Sequence, residues 1–173
     1  MDIPEKYLEV IAPLIAKARG FVEAGEALAP IAFVGNFASK QILHVSIGTA
    51  DDDTKDSSAL AIRMAAAQLN ADFIFTAMEA WGLPKDKVRR HEEIRDRYGS
   101  IGNSPYKVDV VSFILESRYG IWAAQVLLKP KGHSKKKRTF GDAIFQRMDE
   151  AEGRFVGLLP VREDALVGGT PLQ

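Results

Sequence analysis

The sequence predicts an α+β fold, a mainly antiparallel sheet of about five to six strands with helices packed on one face. The first reason is the stretch 107–128, KVDVVSFILESRYGIWAAQVLL, where two runs rich in Val, Ile, Leu and Phe flank Glu116-Ser117-Arg118-Tyr119-Gly120. Polar residues and a glycine between apolar runs mark an antiparallel hairpin, and strands this apolar are covered on most of both faces. The second is the opening segment, where Tyr7, Leu8, Ile11, Leu14, Ile15, Ala18, Phe21 and Val22 recur at helical spacing. The third is the order of the remaining apolar segments, which read as two strands, a helix, a strand and a charged insertion between these two features.

In the first helix Asp2 can cap, Pro4 suits the opening turn and Gly25 the end, while Pro13 removes a backbone hydrogen bond and should kink it. Residues 30–35 and 41–47 form a hairpin across Asn36-Phe37-Ala38-Ser39-Lys40. In its second strand Leu43, Val45 and Ile47 are the more apolar set and should face the core, which turns His44 to the other side. Asp51-Asp52-Asp53 and the hydroxyls that follow cap an alanine-rich helix at 59–69. Residues 71–81 read as a strand with Phe73, Phe75, Ala77, Glu79 and Trp81 on one face. The segment 83–98 is a solvated helix or flap held by Val88, Ile94 and Tyr98 alone. After the 107–128 hairpin, residues 139–148 form a last strand or short helix, with Phe140, Ile144 and Phe145 as buried candidates. Residues 1–160 then make a single domain and 161–173, lacking periodicity, a flexible tail.

The formal charge is zero, from 23 basic and 23 acidic residues, so attraction to nucleic acid or an anionic surface must come from local patches. No cysteine is present, which excludes disulfides, thiolate metal sites and cysteine nucleophiles. No apolar run is long enough for a membrane span, and the start lacks the pattern of a signal peptide, so a cytoplasmic location is expected.

The strongest local anomaly is 129–138, KPKGHSKKKR, with six positive charges and no negative one. Lys131, Lys135, Lys136, Lys137 and Arg138, joined by Arg89 and Arg90, could grip nucleic acid or a phosphorylated ligand. The run contains no aromatic residue for bases to stack on, and lysines also keep a hairpin loop soluble. His44, in His44-Val45-Ser46, could act as an acid or base with Glu79 or Glu116 in a hydrolase or phosphoesterase. The two-histidine phosphoesterase chemistry needs a second such motif, and neither His91 nor His133 provides one. Glu79 and Glu116 are carboxylates set in apolar strands, where pairing with an arginine such as Arg63 or Arg118 explains them with less.

The acidic run 51–56 lacks the ligand spacing of a calcium loop, the glycines at 99–102 lack a following Gly-Lys-Ser/Thr, and no Gly-x-Ser-x-Gly elbow occurs. No metal or cofactor is therefore expected. The leading expectation is a non-enzymatic binding or interaction module, self-associating as a homodimer or meeting a protein partner through a sheet edge or the first helix. Arg118 and Tyr119 at the hairpin tip are residue types enriched at interfaces.

Overall fold

The structure, a computed structural model, describes residues 2–151 and 153–160. Helix α1 (Glu5–Glu23) follows Pro4 and runs unbroken through Pro13, ending as Gly25 turns to a φ of +86°. Strands β1 (Ile31–Asn36) and β2 (Gln41–Ser46) form the first hairpin. Helix α2 (Asp52–Leu69) is capped by Asp51, whose carboxylate accepts from the Thr54 N–H at 2.7 Å. That bond and the Thr54 hydroxyl, the larger influence, hold the Asp51 carboxyl below its ordinary pKa. The long strand β3 (Phe73–Gly82) leads through a tight helical turn, Lys85–Arg90, into α3 (His91–Tyr98), where Ile94 is buried. Strands β4 (Val108–Ser117) and β5 (Gly120–Leu127) are the expected central hairpin. Then come β6 (Lys129–Pro130), β7 (Arg138–Thr139) and β8 (Gln146–Met148).

The sheet has six strands in the order β2-β1-β3-β4-β5-β8, every pair antiparallel, and β6-β7 is a separate two-stranded ribbon. The α+β fold and its antiparallel sheet are as expected. The helices, however, do not share one face. Tyr7, Ile11, Ala18 and Val22 of α1 pack on Phe33, Phe75, Phe113 and Leu115, while Ile62 and Ala66 of α2 pack on Ala32, Val34 and Ile74. The reason lies in the central strands. β3 buries five consecutive residues, Phe73 to Ala77, so both of its faces need cover. On the α1 face the rings of Phe75 and Phe113 stack 5.7 Å apart. Gly35 allows a close approach there, since a Cβ at that position would fall 2.2 Å from the Phe73 ring.

At the sheet edge β2 is exposed at five of its six residues, and its two sides continue the α1 and α2 faces of the sheet. His44 lies on the α1 face with its ring edge-on to Phe33 at 5.0 Å, while Val45 and Ile47 join the α2 side. In the last segment Phe140 is buried and Phe145 partly so, but Ile144 is largely exposed. The tail 161–173 lies outside the described residues.

Candidate functional site

The cleft on the α1 face is built from helix and strand residues in equal measure. Leu14, Ala18 and Phe21 of α1 form one wall, Ala27, Leu28 and Ala29 a second, and Ile31, Phe33 and Ala77 the floor. Lys17, Glu26 and His44 bring polar groups to this otherwise apolar space of about 250 Å³. It opens beside β2, which ends the sheet and leaves Ile42 and Leu43 about two-fifths exposed, at 41% and 39%.

Glu79 holds one wall in place. One of its oxygens accepts from the Leu28 N–H at 3.1 Å, and the other meets the Arg138 guanidinium at 2.5 Å. The carboxylate thus does pair with an arginine, though neither Arg63 nor Arg118. Through it the cleft wall is joined to the basic ribbon. Glu23, at the end of α1, adds a second tie by accepting from the Thr139 hydroxyl at 2.8 Å and pairing with Lys131 at 3.4 Å. The Thr139 hydrogen bond, ahead of the Lys131 charge, keeps the Glu23 carboxyl below its ordinary pKa.

The ribbon is therefore docked on the C-terminal end of α1, where helix carbonyls favour positive charge. Lys131 and Arg138 are neutralised there, while Lys135, Lys136 and Lys137 stay exposed without a carboxylate partner among the described residues. Arg90 pairs with Glu93 at 3.0 Å, which raises the Arg90 pKa through that hydrogen bond and charge. Arg89 stands exposed on the same turn.

The three acid–base candidates do not converge. His44 lies in line with Phe33 and Phe75 across the sheet, and Glu79 is two strands away and four residues further along. Regular sheet spacing puts their backbones about 16 Å apart. Glu116 pairs in register with Ile74, which places it on the α2 face, with the sheet between it and His44. There it accepts from the N–H groups of Leu158 and Leu159 at 3.3 and 3.2 Å, a buried anchor for the 153–160 segment. Among the described residues no group of three or more His, Asp or Glu stands together as metal ligands would.

At the hairpin tip, Arg118 and Tyr119 are engaged with their own chain. The Arg118 guanidinium donates to the Tyr119 hydroxyl at 2.6 Å, which lowers the Tyr119 pKa, and the Tyr119 ring lies 6.1 Å from Tyr7. Tyr7 itself is pushed above its ordinary pKa, chiefly by burial.

One group was legible as a strand residue but not as a site residue. Trp81 is 57% exposed at the end of β3, with its ring against Gly102 and the Lys107 ammonium 4.8 Å from its centre. Its place on the face of Glu79 was readable from strand alternation. The basic and aromatic neighbours were not, because they arrive from segments distant in sequence.

No described helix is long and apolar enough to cross a membrane. No family model, no curated protein and no solved structure matches this chain.

Proposed function

We propose that the chain is a non-enzymatic binding module that takes an extended segment of a protein partner along β2. The observation that carries this reading is the apolar cleft lying beside the outer edge of a terminal strand. An added strand gains main-chain hydrogen bonds from the edge, and every second side chain of it points to the α1 face. A large apolar side chain at one of those positions can enter the cleft, with Lys17, Glu26 and His44 left to select its polar surroundings. The edge is suited to pairing, since Gln41 to Ser46 contains no lysine, carboxylate or proline to repel a neighbour. The ties through Glu79 hold the cleft open before binding, which lowers the ordering cost of the complex.

Panning a library of short random peptides tests this reading. Selected peptides should carry a large apolar residue, and their binding should shift the amide resonances of 41–46. Ala27 lines the cleft from an exposed position, so Ala27→Trp should obstruct it and weaken binding about tenfold or more with the fold intact. Peptide contacts confined to another surface, or binding indifferent to Ala27→Trp, would end the proposal. A concentration-dependent dimer with protected β2 amides would instead put a second copy of the chain in the partner's place.

A further inference from the structure

We infer that the end of the sheet around Trp81 and the β6-β7 ribbon binds single-stranded nucleic acid. The basic run 129–138 has the charge for phosphate but no ring for a base. Tertiary structure supplies the ring. Glu79 and Trp81 are alternate residues of β3 on one face, about 7 Å apart along the strand, and Glu79 is the residue that fixes Arg138. Trp81 thus lies one alternate strand position beyond the residue that fixes the ribbon's Arg138, and the ribbon's Lys135, Lys136 and Lys137 are exposed.

The indole is held but not covered. A Cβ at position 102 would fall 2.4 Å from the six-membered ring, so Gly102 alone lets the 101–103 turn lie this close. A tryptophan present only to fill space would be buried, as Trp122 is at 1%, whereas 57% of Trp81 faces solvent. Cations already attend it. Lys107 stands 4.8 Å from the Trp81 ring centre, and beside it in sequence Tyr106 has Lys87 at 4.9 Å and Arg90 at 5.9 Å. Rings attended by cations, on a molecule that also carries an exposed lysine run, are the components that single-strand binders use, bases on rings and phosphates on ammonium groups.

Two carboxylates bear on the site. Glu79 is neutralised by Arg138. Asp109, across from Trp81 on β4, repels phosphate on that side of the ring. Duplexes fit this arrangement poorly, because their bases are stacked on one another and offer no free face.

The test uses the full chain and a labelled mixed-sequence DNA single strand of about 15 nucleotides, read by fluorescence anisotropy between roughly 50 and 200 mM salt. Affinity should fall steeply with salt, and Trp81 emission should be quenched on binding. Trp81→Ala should weaken binding about tenfold or more, and Trp81→Phe should restore much of it. Changing Lys135, Lys136 and Lys137 together to serine should reduce the salt slope by about two. The buried Trp122 gives a near-ultraviolet signal that certifies each variant as folded. Absence of binding at low salt overturns the inference. So does equal affinity of the Trp81→Ala protein, equal affinity for a duplex of the same sequence, or displacement by tripolyphosphate as effective per charge as by the oligonucleotide.

Discussion

Glu116 is a buried carboxylate that meets no cation among the described residues, and the peptide N–H groups of Leu158 and Leu159 take a cation's place. Hydrogen bonds to a charged acceptor are worth more than neutral ones, and removing the acceptor strands two donors. Glu116→Ala is expected to cost about 2 kcal/mol in urea unfolding and to accelerate amide exchange at Leu158 and Leu159. An unchanged midpoint would show that the 153–160 segment is not anchored there. Thr76 presents the opposite case. Its hydroxyl is buried on the α2 face with no hydrogen-bond partner among the described residues, so Thr76→Val removes that polar atom at almost constant shape. A stability gain of about 1 kcal/mol is expected from the same unfolding measurement, and a loss would mean that the hydroxyl is bonded in solution.

At the scale of elements, α1 accepts a proline that helix geometry penalises. Pro13 lacks the N–H that would reach the Glu9 carbonyl, and both residues are exposed, so water can serve that carbonyl instead. Proline inside a helix is about 3 kcal/mol worse than alanine, a difference reduced by its stiffening of the unfolded chain. Pro13→Ala should therefore raise stability by about 1–3 kcal/mol in thermal or urea unfolding. A decrease would show that the proline's bend is needed to fit α1 to the sheet. The ribbon is held to the same helix by a titratable contact. The Glu23 carboxyl has a folded pKa below its ordinary 4.5, so its contribution is fully present above that value and is lost as pH falls through the lower folded value. Protection factors of the amides in 129–139, measured across that acidic range, should fall while those of β3 and β4 hold. Protection factors that are flat with pH would place the ribbon's attachment elsewhere, in Arg138 and Glu79.

At the scale of the whole molecule, alternation and helical spacing were enough to read α1, the capped α2, the long β3 and the β4–β5 hairpin, because each pattern is local. The distribution of helices over two faces was missed, although the continuous apolar run Phe73 to Ala77 carried the signal. His44 does lie on the opposite side from Val45 and Ile47, as alternation required, but that side proved to be the α1 face, which the sequence did not show to be covered. The edge position of β2, the cleft and the company that Trp81 keeps had no local signal at all. Each depends on which strand pairs with which, and β1 chooses β3 across an intervening helix. From residue order alone came the kinds of element, the neutral charge, the lack of thiol chemistry and the location of the basic run. Chain packing alone separated His44 from Glu116 by the thickness of the sheet, turned Glu79 into a clamp between Leu28 and Arg138, and set the Lys107 ammonium over the Trp81 ring. The physical cause is that hydrophobic periodicity specifies which face of an element is covered, whereas the partner that covers it is selected by the summed packing of the entire core.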